Sequence, residues 1–177
     1  MKTQTYHTLL ILFATLTLAT SCTTNYKYKI GVSQCVGGRW RDKANIEMLS
    51  AQHLYDTDVK VIIKDADNSN KRQCQQIDSL VDEGVDLLVV SPNDYHALNG
   101  SLQRARNKNI PIVFYDRTTA LNDYTAYIGG DNIEAGRKMA EYAIMLCRDS
   151  IKTEGRRPIV LEMTGPLEIS PAAQRHK

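Results

Sequence analysis

No glycine-rich phosphate cradle follows any strand-like segment of this chain. GxGxxG and GxxxxGK[ST] are both absent, and the pairs Gly37-Gly38 and Gly129-Gly130 are too sparse for a dinucleotide loop. There is no GxSxG nucleophile elbow. The four histidines, His7, His53, His96 and His176, stand far apart, none at a strand's carboxyl end beside a Ser or Cys. Nothing here supports an enzyme. No CxxC or Cys/His spacing supports zinc, and Asp65 with Asp67 reads as a solvated loop rather than a calcium site. Neither metal nor cofactor is expected. One-signed charge is missing as well. Against 20 Asp and Glu stand 22 Lys and Arg, a net charge of +2 spread along the chain. No basic helix and no interleaved aromatic run exists, so nucleic acid is not an expected partner.

Long apolar runs are also lacking, with one exception. Lys2 precedes an apolar stretch from Leu9 to Ala19, closed by Thr20-Ser21-Cys22. A positive start, a short hydrophobic run and small residues at a cut are the layout of an export signal, too short for a comfortable membrane span. Ala19-Thr20-Ser21-Cys22 resembles a bacterial lipoprotein box with Cys22 as the lipidated residue, although leucine is usual where Ala19 stands. An ordinary signal cut near Cys22 or an uncleaved anchor are the alternatives. Cys35, Cys74 and Cys147 remain, an odd number that cannot all pair. Cys74 and Cys147 fall on apolar helical faces and read as small buried hydrophobes.

The rest is globular in composition, 42% hydrophobic and 24% charged. It is organised around Val85 to Arg117. Val85–Val90 is an apolar run that fits a buried parallel strand. Ser91-Pro92-Asn93-Asp94 breaks it, with Asn93 or Asp94 suited to cap the next helix. Leu98, Leu102 and Ala105 recur on one helix face. Pro111 ends that helix, and Ile112–Tyr115 is a second strand with Asp116-Arg117 at its carboxyl end.

Before this unit lie a strand at Lys29–Ser33 and a loop through Gly37-Gly38. A helix with Ala44, Met48, Ala51 and Tyr55 on one face follows, ended by Asp56-Thr57-Asp58. The strand Val59–Lys64 is less apolar and belongs near a sheet edge. A helix opening at Asn70 then shows Cys74, Ile77 and Val81 and stops at Gly84. After the unit come a short strand Thr125–Ile128 and a helix from Asp131 with Ala135, Met139, Tyr142 and Leu146. A charged linker Arg148–Arg157, a strand Pro158–Met163 and a helix start near the end complete the chain. Strand and helix alternate, which predicts an α/β fold with a doubly wound parallel sheet.

Five stretches in this order resemble the periplasmic binding proteins of the ribose- and galactose-binding type, which share their fold with LacI-like effector domains. They are KIGVSQCVGGRWRDKANIEM, VDLLVVSPNDYHAL, NIPIVFYDR, TAYIGGDNIEAGRKMAEYA and the terminal SPAAQRHK. GVSQC followed by RWR further resembles sugar-sensing domains of hybrid two-component sensors. The resemblance implies two lobes closing on a ligand, with residues 1–22 a signal or lipoprotein segment. Residues 23–130 would be a nearly complete first lobe, and 131–177 the incomplete start of a second. It implies a non-catalytic carbohydrate receptor in the periplasm, membrane-anchored through its N-terminal segment and acting as the input domain of a two-component system. The alternative is the substrate-binding lipoprotein of an ABC sugar transporter. A repressor effector domain or an α/β enzyme fits less well. The partners implied are a small sugar and a sensor kinase or permease, any histidine kinase lying downstream of this chain.

A sugar needs bidentate partners for adjacent hydroxyls and an aromatic face for its C–H side. Asp116-Arg117 match the family's ligand-binding Asp-Arg pair, against the alternative of a strand-exit salt bridge. Trp40 stands where the family places an aromatic, either stacking on a ring or anchoring the first helix in the core. Ser33 and Gln34 leave the first strand, and Ser91 and Asn93 leave the strand after Val90, all four within reach of a ligand. Asp131 sits at the crossing between lobes, as a contact or as a helix cap. Arg175 matches a second-lobe arginine that binds ligand in the family.

Overall fold

The computed structural model of the chain describes residues 26–55, 58–155 and 157–177. The export-like segment, Cys22 and the Asp56-Thr57 helix stop lie outside the described residues. Five strands form one sheet: β1 Tyr28–Gln34, β2 Val59–Asp65, β3 Leu87–Val90, β4 Ile112–Tyr115 and β5 Ala126–Ile128. Their order is β2-β1-β3-β4-β5 and every pairing is parallel. The expected doubly wound α/β sheet is present, and β2 lies at an edge as its mixed composition predicts. The helices are α1 Arg39–Gln52, α2 Asn70–Asp82, α3 Asn99–Asn107, α4 Asn132–Glu154 and α5 Ser170–His176, with a 3-10 turn at His53–Tyr55.

The core lies between the sheet and α2 with α3. Leu88, Val90, Ile112 and Phe114 point from the strands into Ile77 and Leu80 of α2 and Leu98, Leu102 and Ala105 of the α3 segment, all fully buried. Each such side chain contributes roughly 2 kcal/mol on removal from water. Gly31 lets β1 join this face, because a Cβ there would sit 3.1 Å from side-chain carbons of Leu80 and Val85. Gly84, at φ 68°, terminates α2 with two bonds. Val85 N–H donates to the Leu80 carbonyl and Gly84 N–H to the Val81 carbonyl, both at 3.3 Å. That is a Schellman motif, and it takes Val85 out of the strand. The strand therefore starts at Leu87.

Other expectations are corrected. Ser69, not Asn70, caps α2, its hydroxyl accepting from Arg72 N–H at 3.2 Å. Asp94 accepts from His96 and Ala97 N–H groups in the turn before α3, so neither it nor Asn93 caps that helix. The charged stretch expected as a linker is helical to Glu154, because no Pro or Gly interrupts it before Gly155 takes the left-handed conformation at φ 68°. No strand forms at Pro158–Met163. A strand requires a ladder partner, none of the described strands pairs with this segment, and Ile159 is 97% exposed. Cys74 and Cys147 are partly exposed, Cys74 against the core edge; only Cys35 of the three is fully buried. Ala51, Tyr55, Ala135, Met139, Tyr142 and Leu146 are exposed although their spacing marks helix faces. No described helix is long and apolar enough to cross a membrane.

Candidate ligand-binding cleft

Register places the site. Ser33 pairs with Val90, and Val90 with Phe114. Gln34, Ser91 and Asp116 therefore emerge along one edge, at the carboxyl ends of β1, β3 and β4. The chain runs from β1 to β2 on one side and then returns to β3 on the other, so this edge contains the topological switch point where such sheets bind ligands.

Arg41, in the first turn of α1, reaches back across that edge. Gly38, at φ 135°, allows the tight approach from β1 into the helix. Arg41 is 2% exposed. Its Nη1 donates to Gln34 Oε1 at 3.1 Å and to Ser91 Oγ at 2.7 Å, and its Nη2 donates to Asp116 Oδ2 at 2.6 Å. A buried guanidinium is tolerated when its donors are filled and a carboxylate balances it. Gln34 completes its own bonding by donating to Asn45 Oδ1 at 2.6 Å. Arg41 also lies over the Trp40 ring, 4.2 Å from its centroid.

Asp116 adopts φ 63°, and Arg117 N–H donates to the Tyr115 carbonyl at 2.7 Å. This three-residue turn costs on the order of 1–3 kcal/mol. It turns the Asp116 carboxylate toward Arg41. Oδ2 is held by Arg41 and lies 3.6 Å from Arg117 Nε, while Oδ1 has no hydrogen-bond partner among the described residues. One oxygen is fixed and the other is free to accept a hydroxyl. Beneath them, the buried Tyr115 hydroxyl meets no partner in hydrogen-bond geometry, and burial pushes its pKa up to about 12.

A cleft of about 450 Å³ opens above this cluster. One wall carries Trp40, Arg41, Asp116 and Arg117, and the other Thr164-Gly165-Pro166, Ile169, Pro171 and Arg175. The second wall is tied to the first. Thr118 N–H donates to Ser170 Oγ at 2.8 Å, and Tyr95 N–H to the Glu168 carbonyl at 3.1 Å.

Four of the expected site residues, Trp40, Asp116, Arg117 and Arg175, thus line one cleft. Trp40 is 53% exposed, which rules out the core-anchor alternative. Ser33, Gln34 and Ser91 are fully buried behind the cleft and hold other side chains. Asn93 is turned to α2, its Nδ2 donating to Asn70 Oδ1 at 2.6 Å. Asp131 caps α4 by accepting from Glu134 N–H at 2.9 Å. Sequence reasoning missed Arg41 and Gln73. Gln73 is fully buried, donating to Ser33 Oγ and the Ser91 carbonyl and accepting from Asn93 N–H. A polar residue in phase with Ile77 and Val81 was its available signal. Among the described residues no group of three metal-ligating side chains exists.

An open parallel sheet with a polar, Trp-flanked cleft at its switch point defines a small-molecule binding fold. Residues 30–177 match the periplasmic binding protein domain family, and the chain belongs to it. It is 30% identical over 84 residues to the ribose import binding protein RbsB of Bacillus subtilis, covering 48% of this chain and 28% of that protein. The D-xylose-binding periplasmic protein of Escherichia coli is 29% identical over 103 residues, 58% of this chain and 30% of that protein. Among solved structures, the fructose-binding periplasmic domain of a hybrid two-component system superposes with a TM-score of 0.72 at 36% identity. That match covers 84% of this chain and 47% of the other. The chain therefore spans less than half the length of these relatives.

Proposed function

We propose that the chain is the sugar-binding part of a non-catalytic receptor on the periplasmic side, serving as sensor input to a two-component system. The observation that carries the sugar reading is the cleft itself. Asp116 offers a fixed carboxylate with one free oxygen, Arg117 and Arg175 offer guanidinium donors, and Trp40 offers an indole face. Those groups match the hydroxyls and the C–H face of a carbohydrate. Residues 23–130 form the first lobe in this reading and 131–177 begin the second. The 36% identity to a fructose-binding sensor domain favours the signalling role. Likeness to import binding proteins supports the second reading, a transporter's binding lipoprotein anchored through Cys22.

The test is a thermal-shift series with D-fructose, D-ribose, D-xylose and D-galactose on the full gene product. A sugar at a hundred times its Kd stabilises the native state by about 2.7 kcal/mol. Asp116→Ala should raise the Kd of the responding sugar by at least about tenfold, the loss of a charged hydrogen bond. A folded protein that responds to none of the four would sink the carbohydrate reading. Growth-dependent induction of a sugar operon, lost on deletion of the gene without loss of uptake, would separate sensor from transporter.

A further inference from the structure

We propose that Asn132 is a positioning residue of the cleft, fixing the direction in which Arg175 presents its guanidinium. This inference rests on the reading that the cleft binds a sugar. Asn132 opens α4, directly after the Gly129-Gly130-Asp131 crossing from β5, and is only 8% exposed. Its Oδ1 accepts from Arg175 Nε at 2.9 Å, and its Nδ2 donates to the Gly130 carbonyl at 3.3 Å. The amide is thereby oriented by the crossing and in turn orients the arginine. With Nε held, the terminal nitrogens of Arg175 have no hydrogen-bond partner among the described residues, and the side chain lines the cleft. An arginine held at Nε keeps a fixed plane and loses less freedom when its outer edge engages a ligand.

A second observation points the same way. A Cβ at Gly136 would stand 2.3 Å from the Arg175 carbonyl oxygen, so α5 rests its backbone on α4 at that glycine. Gly136 sets how far Arg175 stands from α4, and Asn132, one turn earlier, sets where its side chain points. The two together put a residue from the end of the chain opposite Asp116 and Trp40.

The test uses the full gene product, isothermal titration with D-fructose or whichever of D-ribose, D-xylose and D-galactose responds, and NMR of the arginine Nε–H groups without sugar. The Arg175 Nε–H should exchange slowly in the wild type and lose that protection in Asn132→Ala. Asn132→Ala should raise Kd about tenfold, the worth of a hydrogen bond to a charged group. Asn132→Asp, which keeps the acceptor, should restore affinity to within about threefold of wild type. In an Arg175→Ala background, Asn132→Ala should add less than about twofold, because coupled residues do not add. Gly136→Ala should weaken binding at least as much as Asn132→Ala. An equal penalty in the Arg175→Ala background would overturn the proposal, and so would an Arg175 Nε–H unchanged by Asn132→Ala. A protected Nε–H with no response to any of the four sugars would overturn the role in binding through failure of the carbohydrate reading, while the contact itself stood.

Discussion

Helices α2 and α4 carry comparable apolar stripes and meet opposite fates. In α2, Ile77, Leu80 and Val81 are buried in the core between the sheet and α3. In α4, Met139, Tyr142, Ile144 and Leu146 stay between 47% and 69% exposed, and Asn132 is its one buried residue. Both helices have an oxygen-bearing N-cap, Ser69 and Asp131, and both end at a left-handed glycine. Local chemistry therefore specifies the two alike. What differs is the neighbour: among the described residues α2 lies on a sheet with α3 beside it, whereas α4 packs chiefly with the short α5. Patterning makes a helix, but only a facing surface converts its apolar stripe into stability.

Equal truncations in the two helices should carry unequal costs. Leu80→Ala empties a fully buried position and should cost about 3 kcal/mol. Leu146→Ala, at a site 47% exposed, should cost less than about 0.5 kcal/mol. Urea unfolding midpoints read both. The next largest effect is alkaline. Burial raises the Tyr115 pKa to about 12 in the folded state, against 10.0 when free. A raised pKa stabilises the fold below the free value, and that contribution is lost as pH climbs from 10.0 toward about 12. The loss is on the order of 2–3 kcal/mol. Tyr115→Phe should abolish this pH dependence and be nearly neutral at pH 7, since the hydroxyl lacks a hydrogen-bond partner there.

How far the sequence reveals this molecule follows the same division. The strands from Lys29 to Ile128 and the helix faces of Ile77–Val81 and Leu98–Ala105 are legible because period and burial agree there. Pro158–Met163 is strand-like in composition but meets no ladder partner among the described residues, since an apolar run reports a preference for strand and not what it pairs with. In the cleft, Asp116 and Arg117 are legible at a strand end, as residue type and topology coincide. Arg41 is not, because an arginine in the first turn of a helix reads as solvated until the fold brings Gln34, Ser91 and Asp116 to it. Ser33 and Ser91 sit at the right strand ends, but register turns them to opposite faces, Ser33 to Gln73 and Ser91 to Arg41, partners that sequence alone does not resolve.

The two glycine caps sharpen the contrast at a smaller scale. Gly84 and Gly155 share φ 68°, and alanine at either position meets the same local strain, about 1 kcal/mol. Gly84→Ala should lower global stability by that amount, because the Schellman turn delivers Val85 into the core. Gly155→Ala should leave the urea midpoint nearly unchanged and instead loosen the last turn of α4, seen as faster amide exchange near Ile151 and Lys152.

The smallest effect is electrostatic and separates the same two regions. Glu83 at the end of α2 accepts from Lys64 Nζ at 2.6 Å and from Ser79 Oγ at 2.9 Å. The Lys64 bond, then the Ser79 bond, hold its pKa below 4.5. A depressed carboxylate stabilises the fold above its free pKa, and that contribution disappears as pH falls through the lower folded value. With 43% of the side chain exposed, solvent screens the pair, so its worth is below about 1 kcal/mol. Glu134 on α4 is likewise lowered, mainly by its bond to Arg137. The two should nevertheless differ in what they report. Lys64 belongs to β2 and Glu83 to the cap of α2, so this bond joins two elements, and Lys64→Met should flatten part of the acid limb of global stability. The Glu134–Arg137 pair lies within one helix. Glu134→Gln should change the helicity of α4 without moving the global midpoint. Equal shifts of the midpoint below about pH 4.5 in both variants would show that α4 unfolds together with the sheet, and would remove the distinction between the two regions.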